Sequence, residues 1–470
     1  MESEKFRRQL RQEAEQWWRD GLIDASVYET LAQRYQFQGL EGEAKSRFVM
    51  ILMSLGGILL GLGVITYVAA NWQGWPREFR TLLLLTLFLS VNAVGFYLWR
   101  RAPSQGGQRL GHALLLLGAL ILGANMGLMS QMFHQSGNLY ELYLVWSLGV
   151  LAMAYGLRLA SLGILALILM AFGYCAGISL WSSDAASGWQ LLIGQMPLVV
   201  AGLFIPLAYW CRSVALFGLA AIGVTLSLQG NLGLLLSRDS TWGMIAIATA
   251  LPPALLWSYH DRFWQWDQPK AMRLQHGQQT SPTPFQTVTR TLCIAALSLL
   301  LYIVSFHWVW QYRWFSTASD LAPQAQSLLI SVAILSLVAL WGWLKIAKQG
   351  IHQRQMPSHL LNSGTVAGLI TLMTTIAIWH EVVTLPTLGP VVFNLLLFFL
   401  SLALIRDGLA LGRREMFWSG MVLLVLGIMS RTLEYNTDLL IKALAFALCG
   451  AGIIVAGLWF ERHIKPAHTP

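Results

Sequence analysis

Gln131 and His134 stand three residues apart, and Glu141 follows seven positions later. At helical spacing the first two share one face. An imidazole near a carboxylate can relay a proton or hold a cation, because an unperturbed His titrates near pH ~6.5. Asn125 and Asn138 add polar groups nearby. One His and one Glu are too few ligands for a zinc-type centre, so no metal and no cofactor is expected. The competing reading is polar decoration of an outer loop, with His134 bonded to a carbonyl.

A second group is Arg431, Glu434, Asp438 and Lys442, spaced by three, four and four. These form one stripe if the last helix begins before Asp438. Asp438 preceding Lys442 by four is the favourable order for a helical ion pair. Lys442 lies about one turn inside an apolar run, where an unpaired charge costs at least ~2.5 kcal/mol at the centre and less near the edge. It therefore needs a partner or must snorkel. His380 and Glu381 fall on the same side by chain order and are placed to face the stripe. The competing reading is a salt-bridge ladder at helix ends.

Other polar residues read as structural. Arg406-Asp407 and Arg413-Arg414 read as anchors with a local ion pair. Gly56, Gly57, Gly61 and Gly63 sit mid-segment without a following Lys-Ser/Thr, so they form a close-packing seam rather than a phosphate loop. Cys175, Cys211, Cys293 and Cys449 lie in or beside apolar runs without C-x-x-C spacing, which excludes a disulfide framework or zinc knuckle. No Ser-His-Asp order and no H-E-x-x-H occurs, so no catalytic residue is assigned.

What must position these residues is a hydrophobic rhythm. About fourteen apolar stretches follow one another, each near the ~20 residues that span a bilayer. The estimated spans are 48–70, 79–99, 110–133, 140–156, 159–180, 190–210 and 213–236. They continue as 241–259, 290–309, 325–346, 359–380, 387–405, 414–430 and 438–460. Charged residues are only 11% of the chain and mean hydropathy is +0.56, which excludes an ordinary soluble domain. The expected fold is all-α: a polytopic transmembrane helix bundle preceded by a small cytosolic hairpin. Its parts are the hairpin at 1–47, helices one to eight at 48–259, a linker at 260–289, helices nine to fourteen at 290–460 and a tail at 461–470.

In the hairpin, Phe6, Leu10, Ala14 and Trp17 make one apolar face, and Gly21 ends that helix. Ser26 to Glu29 has the S-x-x-E pattern of a second helix start. Pro197 and Pro206 fall in the sixth span and Pro252-Pro253 in the eighth, where each removes a backbone donor and favours a kink. No cleavable signal is visible, so the first span is expected to act as an uncleaved insertion signal.

Basic residues alternate from link to link. The N-terminus and every second link hold 25 of the 31 Lys and Arg, and the opposite links hold five. Over short links that imbalance places both termini in the cytoplasm. The net charge of +9 then belongs to membrane topology, and nucleic acid is not an expected partner.

Several stretches together carry a family likeness. Trp18-Arg19-Asp20-Gly21-Leu22-Ile23 precedes Tyr28 and Leu31, and the first span ends Ala69-Ala70-Asn71-Trp72. Further on comes Ser130-Gln131-Met132-Phe133-His134-Gln135-Ser136-Gly137, followed by Tyr140-Glu141-Leu142 and Trp146. Over roughly residues 15–155 the chain resembles the bacterial membrane-protein family catalogued as domain of unknown function 2157. The resemblance implies a bacterial inner-membrane location and an N-terminal cytosolic helical segment. It implies no activity.

Three functions are compatible with these features. The leading one binds or moves a small solute, ion or lipid through an outward-facing polar site built from the two groups above. An alternative is a non-catalytic sensor or scaffold, whose hairpin docks a cytosolic partner. The third is an envelope enzyme acting on a lipid-linked substrate, for which Glu78, Glu141 and Glu381 would be the available acids.

Overall fold

The computed structural model describes residues 4–35, 72–101, 103–134, 137–180, 188–236, 242–260, 284–311, 323–352, 360–435 and 438–463, with isolated positions 59, 66 and 70. Among these residues all regular structure is helical. The expected span at 48–70, with its Gly56–Gly63 seam, and most of the 260–289 linker lie outside the described residues. The chain divides into two compact units, Met1–Leu87 and Phe88–Pro470.

The first unit opens with α1 (Glu4–Arg19) and α2 (Ala25–Arg34). They close on Ala14, around which Leu10, Trp17, Tyr28, Leu31 and Tyr35 pack. Gly21 makes the turn with φ +70°, a backbone state that costs glycine nothing. The start of α2 differs from the S-x-x-E expectation. Asp24 is its N-cap, accepting from the Ala25 N–H at 3.1 Å, and Ser26 lies inside the first turn. A carboxylate already stood at a better cap position. Burial, together with the adjacent Glu15 carboxylate, raises the Tyr28 hydroxyl above its usual pKa.

Then come α3 (Arg77–Arg101), α4 (Gln105–Met132), α5 (Leu139–Leu157), α6 (Ala160–Ser179), α7 (Gly188–Gly194) and α8 (Met196–Trp210). They are followed by α9 (Val214–Leu236), α10 (Trp242–Ser258), α11 (Pro284–Val304) and α12 (Pro323–His352). The last four are α13 (Ser363–Val382), α14 (Leu388–Leu411), α15 (Arg414–Glu434) and α16 (Leu439–His463). Among the described residues ten helices are long and apolar enough to cross a membrane, and α7 with α8 makes an eleventh if the bent pair is one span. Shorter apolar helices lie at Met244–Ser258 and Lys442–Val455. Outside 48–70, each expected span therefore has a helix at its position. This is a polytopic helical membrane protein in contact with the bilayer.

Among the described residues two large apolar cores and a small one around Phe417 and Met421 hold the second unit together. One large core gathers Leu144, Leu162, Met170, Phe204 and Phe217 from α5, α6, α8 and α9. The other gathers Leu297, Leu301, Val366, Met373 and Phe393 around Trp310. Since lipid is as apolar as these cores, close backbone approach matters more than burial. A Cβ on Gly111 would lie 2.2 Å from the Trp99 nitrogen, and one on Gly408 would lie 2.5 Å from the Phe417 nitrogen. These glycines let α4 meet α3 and α14 meet α15.

The sixth span is not simply kinked. It is broken at Gln195, with a 73° bend between α7 and α8. Pro197 sits in the first turn of α8, where a missing N–H costs nothing. The freed Gly194 carbonyl accepts from Asn231 Nδ2 at 2.8 Å and from Ser331 Oγ at 3.5 Å. Tyr174 donates to the Ser227 carbonyl at 2.8 Å and lies 3.0 Å from Asn231 Oδ1. The break is thereby satisfied within protein, as backbone at membrane depth requires.

Candidate functional site

The Arg431–Glu434 pair forms in the last turn of α15. It closes on the segment after α11, where the expected span 290–309 gives way to a link beyond Val304. Arg431 Nη1 donates to Glu434 and, at 2.7 Å, to the Ser305 carbonyl. Glu434 Oε1 accepts from the His307 backbone N–H at 2.6 Å. The guanidinium carbon lies 4.0 Å from the centre of the Phe306 ring, and Arg431 Nε and Nη2 find no acceptor. Asn394 Nδ2 also donates to the Ser305 carbonyl, at 3.0 Å.

His380 meets the same link from its other end. It is fully buried and packs edge-on against Trp310, ring centres 4.8 Å apart. Its Nδ1 accepts from the Leu385 N–H at 3.0 Å, which assigns the ring proton to Nε2. Glu381, next along α13, is partly exposed. Trp310 itself donates to the Val304 carbonyl at 2.6 Å and enters where Gly389 leaves room, since a Cβ there would lie 2.2 Å from the ring.

The four-residue stripe expected from spacing is interrupted. α15 ends at Glu434 and α16 begins at Leu439, so Asp438 precedes the last helix. Asp438 accepts the Lys442 backbone N–H at 3.2 Å through its own carbonyl, and the two side chains form no ion pair. At the other expected site, Gln131 and His134 are exposed and His134 has φ 51° just past the end of α4. Glu141 accepts from Asn138 Nδ2 at 3.3 Å, and no hydrogen bond or ion pair joins it to His134. Asp407, expected in a local ion pair, instead accepts from the backbone N–H groups of Leu360 and Leu361 at 3.0 and 2.8 Å. Among the described residues no cluster of three or more His, Cys, Asp or Glu could hold a metal.

Sequence reasoning missed an apolar cavity. A cavity of about 620 Å³ lies between α8, α9, α10 and α12. Leu198, Ile205, Val224, Leu335 and Val338 are among its apolar walls, while Lys345, Lys348 and His260 stand at one end. Among the described residues no carboxylate lines it. Lys345 Nζ rests 3.3 Å from the centre of the Trp341 ring. The floor at this end is pinned, because a Cβ on Gly342 would meet Ser258 at 2.7 Å. Tyr259 and Tyr209 share a hydroxyl hydrogen bond of 2.6 Å beside it. The signal available in the sequence is Trp341-x-x-x-Lys345-x-x-Lys348 on one helix face.

Residues 15–163 match the family described as Predicted membrane protein (DUF2157). This is the family that the Trp18–Ile23 and Ser130–Gly137 stretches resemble. The DUF2157 segment contains Gln131, His134 and Glu141, and it ends in α6 before any wall of the cavity. No curated protein and no solved structure matches the chain.

Proposed function

We propose that this membrane protein binds a lipid-like amphiphile in the cavity between α8, α9, α10 and α12, with both termini cytoplasmic. The observation that carries the reading is the cavity's division into long apolar walls and one cationic end. A volume of about 620 Å³ is within the range of ligand pockets, which are mostly apolar with a few placed polar groups. Gly202, Ile334 and Val338 on its rim are exposed, so a ligand reaches it sideways from the bilayer. One wall is α8, the second half of the broken α7–α8 pair, and discontinuous helices form binding sites in many transporters.

This reading moves the site away from the outward polar groups. Arg431 Nη1 and Glu434 bond to the 305–310 link, and His380 Nδ1 accepts from Leu385, as a brace does. The test is lipid retention after purification. Gly202 has open space around its Cβ direction, so Gly202→Leu fills the cavity without a backbone clash. Native mass spectrometry should find bound amphiphile on the wild type and much less on Gly202→Leu. Equal retention by both would sink the reading.

A further inference from the structure

Resting on the amphiphile-binding reading, we infer that the occupant is an anionic phospholipid of the leaflet nearest Lys345, its phosphate held by Lys345 and Lys348. The two lysines are three residues apart on α12, so their ammonium groups share one face and repel. No described carboxylate lies within ion-pair reach of either, and none is among the described residues of the cavity lining. Lys345 is held against the Trp341 ring, a cation–π contact that keeps the charge at the cavity mouth while leaving its donors open. Both lysines are exposed, and Ser258, Tyr259 and His260 bring further polar groups to the same end.

The dimensions fit a lipid of one leaflet. From Ile334 to Lys345 the α12 wall runs eleven residues, or about 16 Å at 1.5 Å per residue. Half of a ~30 Å hydrocarbon core is about 15 Å. An acyl chain whose phosphate sits at Lys345 therefore ends beside Ile334 and Leu198, near the level where α8 begins. A soluble anion would use the lysines and leave the apolar wall empty. A neutral amphiphile would use the wall and leave two like charges uncompensated.

The experiment measures retention of phosphatidylglycerol, phosphatidylcholine and palmitate by the purified full chain in detergent. Wild type should prefer phosphatidylglycerol over phosphatidylcholine. Lys345→Gln with Lys348→Gln should cut that preference about thirtyfold, or ~2 kcal/mol at ~1.4 kcal/mol per tenfold. Lys345→Arg with Lys348→Arg should keep it. Gly202→Leu should reduce retention of all three probes. If Gly202→Leu lowers retention but the double Gln variant leaves the preference intact, the headgroup inference fails and the cavity reading stands. Tighter binding of palmitate than of phosphatidylglycerol also overturns the headgroup. Should Gly202→Leu change nothing, as when another part of this chain fills the cavity, both ideas fall.

Discussion

Asp407 is a carboxylate with two jobs already assigned, since the Leu360 and Leu361 N–H groups both bond to it and the residue is almost fully buried. Removing it strands two donors, each worth about 1–3 kcal/mol when left unsatisfied in a dry site. Asp407→Ala should lower the melting temperature of the purified protein clearly, and Asp407→Asn, which keeps one acceptor, should lower it less. Equal effects would show that the bonds to Leu360 and Leu361 are not what the residue supplies. The charges farther along separate into coupled and independent pairs. Arg431 and Glu434 are coupled directly and through the 305–307 backbone, so replacing one should cost more than replacing both together. Asp438→Asn and Lys442→Met should instead be additive in a double-mutant cycle, because no side-chain bond joins them. A coupling energy near zero for Arg431 and Glu434, or a large one for Asp438 and Lys442, would reverse this assignment.

Helices were legible in the sequence because a bilayer demands long apolar runs, and α4, α9 and α14 lie where such runs stand. Their contacts were less legible. The break at Gln195 depends on Asn231 and Ser331, residues on other helices that no local pattern links to Gly194. The Arg431–Glu434 pair was readable at a spacing of three, whereas its partners at Ser305 and His307 were not, because they lie more than a hundred residues away. Glycine shows the same limit: composition reveals an excess, but only packing tells which glycine is a contact. A Cβ on Gly408 would lie 2.5 Å from the Phe417 backbone nitrogen, while one on Gly368 in α13 would have nothing within 4 Å. Gly408→Ala should therefore force α14 from α15 and lose folded yield. Gly368→Ala should be neutral or stabilise by up to ~1 kcal/mol through helix propensity. Size-exclusion profiles and melting of the two variants test the distinction, and equal behaviour would contradict the seam.

At the scale of the whole molecule the bent α7–α8 pair decides how the chain threads the bilayer. If the pair turned back on itself, every later link would change sides. The basic residues of 260–290, 345–354 and 406–414 would then face outward, against the charge preference of short links. Treated as one broken span, the pair keeps 25 of the 31 Lys and Arg on the side of the termini. With the proposed cytoplasmic termini, the same threading would put Lys345 and Lys348 on the cytoplasmic side, where anionic lipid is richest. Reporter fusions after Gly74, Gln135, Ser187 and Thr384 should therefore report the outer face. Fusions after Gln105 and Gln278 should report the cytoplasm. The deciding pair is Gln278 and Thr384, because both lie beyond the break. If these two invert while Gly74, Gln105 and Gln135 hold, then α7 and α8 form a re-entrant hairpin, and the lipid cavity opens toward the opposite leaflet.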